Sequence, residues 1–152
     1  MLAKAPQVQV VGAYRVSVDD TLIREAMDLK YPADMFSETE RRNAQPAVVA
    51  EMSSAVLVEV IVDGADGRYT ADDFGQPGSE QAPYMEMYLS PDGSSVISEY
   101  DRPPGGFLRV AFFLHFVDSR KPLKTSYGEV CIPEPTAMPE RLSGIIRYEP
   151  VD

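Results

Sequence analysis

Apolar and polar side chains alternate along several stretches of the chain, and the period of the alternation predicts strands and helices. In residues 8–18 most even positions are apolar and several odd ones are polar, which is typical of a half-buried strand. Residues 22–29 then follow a helical period, with Asp19 and Asp20 available as N-cap. That helix is expected to end near Tyr31, because the residue before Pro32 avoids helical geometry.

Two later stretches are apolar on both faces, as expected for central strands of a sheet. Residues 55–62 are interrupted only by Glu59, and the longest apolar run, residues 107–117, contains Arg109 and His115. The second run must be covered on both sides, by a helix, a second sheet or a partner subunit. We interpret Glu59, Glu86 and Glu99 as lying on the solvent faces of their strands, since charged side chains are rarely buried.

Shorter elements complete the pattern. Residues 84–89 alternate, the sequence Ser90-Pro91-Asp92-Gly93 has the composition of a turn, and residues 96–100 are predicted to return as the second strand of a hairpin. A capping box at residues 37–40 predicts a second helix, which Pro46 restricts to residues 38–44. Residues 125–132 are expected to pair with the apolar strand at 107–117, and residues 142–148 to form a last short element.

These elements predict a single α+β domain over residues 1–152. Because most connections between strands are turns or short loops, a mainly antiparallel sheet of six or seven strands is expected, with one or two short helices near the N-terminus. Residues 63–82 contain four glycines and little apolar pattern, so we interpret them as a long acidic loop or excursion.

Charge adds an unusual feature to this picture. The formal net charge is −10, and residues 51–101 hold eleven acidic side chains against one base, Arg68, whereas the rest of the chain is neutral. Such a surface favours association with a basic partner and disfavours direct binding of nucleic acid. A small basic cluster, Arg120, Lys121 and Lys124, could pair with the acidic segment of a second copy.

The remaining composition predicts a cytoplasmic protein. A single cysteine, Cys131, cannot form an internal disulfide, and the first residues lack the apolar stretch of a secretory signal. No stretch approaches the roughly twenty apolar residues needed to span a bilayer, so we expect no membrane as a partner.

Candidate chemistry is sparse, and we predict no catalytic residue, cofactor or metal ion. Residues 63–74 carry aspartates but fail the EF-hand template, which leaves an irregular divalent site as a weaker alternative. If residues 117 and 125 pair across a hairpin, His115 and Cys131 lie roughly 13 Å apart, too far for a thiol dyad. The chain has no serine-hydrolase motif, zinc ligand set or glycine-rich phosphate loop.

We therefore predict a non-catalytic protein-binding module whose acidic surface contacts a basic protein, as immunity proteins, inhibitors that imitate nucleic acid and acidic chaperones do. The predicted contact residues are acids of the loop and tyrosines of the acidic segment. They are Asp63, Asp66, Asp72, Asp73, Glu80, Tyr84, Tyr88 and Tyr100.

Two other functions stay open at this point. The first is a small hydrolase or isomerase that uses carboxylates, for instance Glu59 with Glu86 or Asp72 with Asp73, alone or with a divalent ion. The second is a structural homo-oligomer in which a second copy covers the apolar strand at residues 107–117.

Overall fold

A computed structural model describes residues 7–64, 83–101, 106–117, 120–125 and 128–149. The strands in these residues are β1 (Gln7–Arg15), β2 (Val56–Asp63), β3 (Tyr84–Leu89), β4 (Val96–Ile97), β5 (Phe107–Leu114), β6 (Leu123–Thr125), β7 (Gly128–Val130) and β8 (Thr136–Ala137). The helices are α1 (Asp20–Lys30), α2 (Glu38–Ser53) and α3 (Glu140–Ser143), with a 3₁₀ turn at Glu99–Asp101. Most of the predicted acidic loop, residues 65–82, lies outside the described residues.

Six strands form the main sheet in the order β4-β3-β5-β2-β1-β8. Neighbouring strands are antiparallel except β1 and β8, which run parallel. The two strands that are apolar on both faces, β2 and β5, lie side by side at the centre, as their sequences predict. The chain is thus a single α+β domain on a mainly antiparallel sheet.

Both faces of the sheet are covered, as expected for β5. On one face, helices α1, α2 and α3 pack against side chains such as Leu57 and Phe113. On the other face, Leu123 of β6 and Ile132 pack against the alternate side chains, for example Val60 and Phe112. We refer to these as the helix face and the opposite face.

The predicted pairing of residues 125–132 with β5 is wrong. β6 pairs instead with β7 in a separate two-stranded sheet. The physical reason is that β5 already has β2 on one edge and β3 on the other, so no hydrogen-bonding edge of β5 is left. The β6–β7 ribbon therefore crosses the opposite face instead of extending the sheet.

Helix α2 runs past its predicted end. The capping box is present, since Ser37 Oγ accepts from the Glu40 amide and Glu40 accepts from the Ser37 amide. The helix nevertheless continues through Pro46 to Ser53. Pro46 is exposed, so water reaches the carbonyl of Arg42 that lacks a helical donor, while Val48 and Met52 beyond it are buried in the core.

The helices are not confined to the N-terminal part, which corrects the sequence prediction. α3 lies near the C-terminus, where Leu142 is fully buried against the helix face. None of the helices in the described ranges combines the length and apolarity that a bilayer crossing requires.

A β-bulge in β1 changes which side chains share a face. The pairing with β2 shifts between Val10 and Gly12, so Val10 packs on the opposite face whereas Tyr14 packs on the helix face. The even-numbered alternation in the sequence had placed both on one side. A Cβ at Gly12 would overlap the Tyr14 hydroxyl, so the absence of a side chain at Gly12 leaves room for the Tyr14 ring to cross the strand.

Candidate functional site

The predicted contact residues lie in different parts of the fold. Asp66, Asp72, Asp73 and Glu80 are outside the described residues. Asp63 is exposed at the end of β2, which is three strands, or roughly 14 Å, from the sheet edge at β4. Tyr100 is 89% exposed near that edge, in the 3₁₀ turn that follows β4. The surface role of these residues remains a sequence prediction.

Tyr84 and Tyr88 point to opposite faces, although they are four positions apart and a regular strand would place them on the same face. β3 carries one extra residue relative to β5 between Tyr84 and Met87, and Met85 has φ +54°. This bulge reverses the alternation, so Tyr84 packs on the helix face and Tyr88 on the opposite face. The two half-buried rings therefore belong to different surfaces.

A buried charge cluster lies beneath the β3–β4 turn, and the interpretation of Glu59 as solvent-facing is wrong. Glu59 is 0% exposed. Arg109 Nε donates to its Oε2 at 2.8 Å, Arg141 Nη1 to Oε2 at 2.9 Å and Arg141 Nη2 to Oε1 at 2.5 Å. Tyr14 donates a longer bond of 3.3 Å to Oε1. We call these four residues the Glu59 cluster.

The cluster keeps Glu59 ionised. Burial alone would raise the pKa of Glu59, but the hydrogen bonds and positive charges of Arg141 and Arg109 outweigh it, so the pKa is lowered. Burial and the neighbouring Glu59 charge raise the pKa of Tyr14, which keeps its hydroxyl proton available for donation. Glu59 is thus a permanent acceptor for its three donors and is poorly suited to act as a general acid.

Both arginines also bind the backbone of the turn that joins β3 to β4. Arg109 Nη1 donates to the Pro91 carbonyl and Arg141 Nη1 to the Gly93 carbonyl, each at 3.1 Å. Gly93 has φ +74°, and a Cβ there would lie 2.7 Å from Arg109 Cζ. A side chain at this position would therefore push the guanidinium away from the turn.

The turn, residues 90–95, is ordered from its outer side as well. Asp92 Oδ1 accepts bonds from the Ser90 hydroxyl at 2.7 Å and from the Ser94 amide at 3.0 Å and hydroxyl at 2.7 Å. The hydrogen bonds from Ser94 and Ser90 lower the pKa of Asp92 to about 2, so this carboxylate is charged at neutral pH. The turn is held from below by two partly buried arginines and from above by a serine-aspartate network.

Next to this turn, an exposed surface combines apolar and acidic side chains. Val96 is 45% exposed although it lies in a strand, and Tyr100 and Asp101 are exposed in the following turn. We call Asp92, Val96, Tyr100 and Asp101 the edge surface. No lysine or arginine occurs in residues 90–101. Of the edge surface, sequence reasoning had identified only Tyr100; the exposure of Val96 depends on the end position of β4, which the sequence pattern does not reveal.

His115 belongs to a third group, on the helix face. Its Nε2 lies 2.8 Å from the Tyr148 hydroxyl, and Tyr84 packs beside both rings. Burial lowers the pKa of His115 and raises that of Tyr148 to about 12, so both are neutral at pH 7. Tyr84 also donates to the Glu149 carbonyl at 2.6 Å, so the group fastens the C-terminal segment to the sheet.

Charged side chains also lie close enough to His115 to act on it. Lys30 and Glu51, near the ends of α1 and α2, form an ion pair at 2.9 Å; Glu51 acts to raise the pKa of His115 and Lys30 acts to lower it. Cys131 is exposed and carries no disulfide. Within the described part of the chain, no three His, Cys, Asp or Glu side chains are grouped so as to hold a metal ion.

Comparison with known proteins gave no match. No family model matches the chain, and searches of the curated proteins and of the solved structures returned none either. Function is therefore inferred from the chemistry and exposure of the residues themselves.

Proposed function

We propose that the chain is a non-catalytic binding protein that docks a basic protein through the edge surface. The observation that carries the proposal is the exposure of Tyr100, a large aromatic side chain that is 89% accessible and is followed in sequence by the exposed Asp101. Tyrosine is among the residues that contribute most binding energy at protein interfaces, because it offers apolar area and a hydroxyl at small entropic cost.

The rigidity of the neighbouring turn supports this proposal. The carbonyls of Pro91 and Gly93 are fixed by partly buried arginines, and Asp92 is fixed by serine donors. A surface that is ordered before binding loses little conformational entropy when a partner arrives. The part of the Glu59 cluster in binding is then to hold the turn at residues 90–95 in one shape.

The acidic side chains of residues 90–101 favour a basic partner. Residues 90–101 contain Asp92, Glu99 and Asp101 and no basic side chain. Within the described part of the chain, the guanidinium groups of Arg109 and Arg141, which lie beneath the turn, are directed inward to Glu59. A basic partner is therefore attracted at long range, and an acidic one is repelled.

The alternatives receive less support from the described residues. Glu59 is poorly suited to be the proton donor of a carboxylate enzyme, because both of its oxygens accept bonds from arginine and its pKa is lowered. A homo-oligomer was suggested by the apolar run in β5, but the helices and the β6–β7 ribbon cover that strand within one chain.

The test compares variants of the edge surface in affinity purification from the source cells. Tyr100→Ala is expected to weaken capture of a basic partner about tenfold or more, the scale of an interface hot spot. Asp101→Lys is expected to slow association at low salt, with a smaller effect at high salt. Association rates of the captured protein are then measured at both salt concentrations.

Matched controls come from the loop between α1 and α2. Met35 is 75% exposed and Asp34 is exposed, so Met35→Ala and Asp34→Lys change the same chemistry away from the edge surface. These two variants should bind as the wild type does. Equal binding by all four variants would contradict the proposal.

The acidic residues of the loop are tested with a separate variant in the same binding experiment. Reversing Asp63, Asp66, Asp72 and Asp73 to lysine tests the wider acidic surface that the sequence predicts. If this variant also slows association, the contact extends from the edge surface to the loop. If only the edge variants do so, the contact is confined to the edge surface.

A further inference from the structure

The edge strand β4 has hydrogen-bonding groups that point away from the sheet. Among the described residues, β4 pairs with β3 alone and is the last strand of the sheet. The Ser90 amide donates to the Ser95 carbonyl at 2.9 Å, so this pair is hydrogen-bonded across the hairpin. Because bonded and non-bonded pairs alternate in an antiparallel ladder, the N–H and C=O of Val96, the next residue, point outward.

We infer that an extended, lysine- or arginine-rich segment of the partner adds to the sheet as a strand beside β4. This inference rests on the proposed function and specifies its binding mode. The Val96 N–H and C=O would each form one hydrogen bond with the added strand, while the side chains of Val96 and Tyr100 contact its residues. The acidic side chains at both ends of β4 pair with its basic ones.

The composition of the edge supports strand addition. Proteins commonly protect an exposed sheet edge with lysine or proline, which discourage pairing with another chain. Residues 94–101 contain neither, and the strand exposes Val96 instead. The edge is short, with two residues in β4, so backbone bonds alone are few and side-chain contacts must supply much of the affinity.

The sign of the charge argues against a second copy as the added strand. Pairing of two β4 edges would bring Asp92 and Asp101 of one copy close to the same acids of the other. Like charges opposite each other destabilise a strand pair. A basic segment from another protein removes this repulsion.

A proline substitution tests the inference because it removes one hydrogen-bond donor at a known place. Val96→Pro deletes an N–H that does not serve the pairing with β3, so the hairpin is expected to keep its fold. Val96→Thr keeps the N–H and a β-branched shape and is the matched control. Thermal unfolding and amide NMR spectra of both variants check the fold.

The probe is a short synthetic peptide of alternating lysine and valine, with a matched peptide in which glutamate replaces lysine. With wild-type protein, the lysine peptide is expected to shift the Val96 amide resonance and to slow its hydrogen exchange, a readout that needs no mutation. Val96→Pro should bind the lysine peptide about tenfold more weakly than Val96→Thr, the scale of one or two lost hydrogen bonds.

Three results would overturn strand addition. They are an unchanged Val96 amide at saturating lysine peptide, equal affinity of the proline and threonine variants, and equal binding of the glutamate peptide. If Tyr100→Ala and Asp101→Lys weaken partner binding while Val96→Pro does not, the proposed function stands and the binding mode is wrong. If none of these variants affects partner binding, the proposed function itself fails.

Discussion

Arg141 binds the buried carboxylate of Glu59 with both terminal nitrogens of its guanidinium, across 82 positions of sequence. The contact joins α3 to the central strand β2, and the same guanidinium donates to the Gly93 carbonyl of the β3–β4 turn. One side chain thus connects three distant parts of the chain. Together with Arg109 it places two positive charges on one buried negative charge.

Loss of the Glu59 charge is expected to destabilise the fold strongly. Glu59→Gln keeps the size of the side chain but leaves Arg109 and Arg141 without a counter-charge. Removing one member of a buried ion pair typically costs about 3 kcal/mol or more. The free energy of unfolding, measured by urea denaturation, should fall by about this amount.

The control for Glu59→Gln is Glu140→Gln, the same chemical change on an exposed residue one position from Arg141. It should alter the free energy of unfolding by less than about 0.5 kcal/mol. If Glu59→Gln is equally mild, the two arginines do not depend on this carboxylate.

The sequence contained a signal for this cluster that our interpretation did not use. Each of the two central strands carries one charged side chain flanked by apolar ones, Glu59 in β2 and Arg109 in β5, and the charges are opposite; the second acid of β2, Asp63, is its last residue. Side by side in a sheet covered on both faces, such a pair is expected to be buried together. Arg141 gave no comparable signal, because only the folded chain brings α3 to this place.

The hydrophobic pattern predicted the order of helices and strands along the chain better than it predicted which face of the sheet each strand residue occupies. The alternation in β1 and β3 was read from sequence, but a bulge in each strand moves Tyr14 and Tyr84 to the helix face. A bulge adds one residue without changing composition, so periodicity alone does not locate it. Likewise, local propensity predicts that Pro46 limits the helix, but the burial of Val48 and Met52 outweighs that propensity in the folded chain.

Substitution at Gly93 is expected to disturb the edge surface from below. Gly93→Ala adds a Cβ at a positive φ and within 2.7 Å of the Arg109 guanidinium, so both strain and a clash result. We expect a loss of roughly 2 kcal/mol in the free energy of unfolding. Hydrogen exchange of the amides in residues 90–95 should also become faster.

Gly128 provides the comparison for Gly93. It also has a positive φ, +121°, but no atom lies within 4 Å of a Cβ placed there. Gly128→Ala therefore carries backbone strain without the clash. If both variants lose the same stability and Gly93→Ala leaves exchange in the turn unchanged, contact with Arg109 is not important for the turn.

Replacement of Pro46 is expected to stabilise the protein. The Pro46→Ala variant gains an amide donor for the Arg42 carbonyl in the middle of α2, and an interior proline disfavours a helix by up to about 3 kcal/mol relative to alanine. The greater freedom of alanine in the unfolded chain offsets roughly 1 kcal/mol of this gain. The substitution should therefore raise the free energy of unfolding, measured by urea denaturation, by about 1 to 2 kcal/mol.

The neighbouring Gln45→Ala is the control for helix propensity. Gln45 is exposed and its amide is already part of the helix, so the change should be within about 0.5 kcal/mol. A destabilised Pro46→Ala variant would indicate that the proline sets a bend in α2 that the packing of Val48 and Met52 requires.

The stability of the fold is expected to fall as pH drops below about 6.5 because of His115, the single histidine of the chain. Burial lowers its pKa in the folded state, with Lys30 acting in the same direction and Glu51 against it, so the unfolded chain binds the proton more readily. This contribution to stability is fully present above pH 6.5, the ordinary pKa of histidine, and is lost as pH falls through the pKa of the folded state.

The free energy of unfolding, measured by urea denaturation between about pH 7.5 and pH 5.5, should therefore decrease with falling pH, and His115→Gln should remove this slope. Tyr148→Phe, which deletes only the hydroxyl beside the ring, should lower stability yet keep the slope; a slope that persists in His115→Gln would assign the titration to another group.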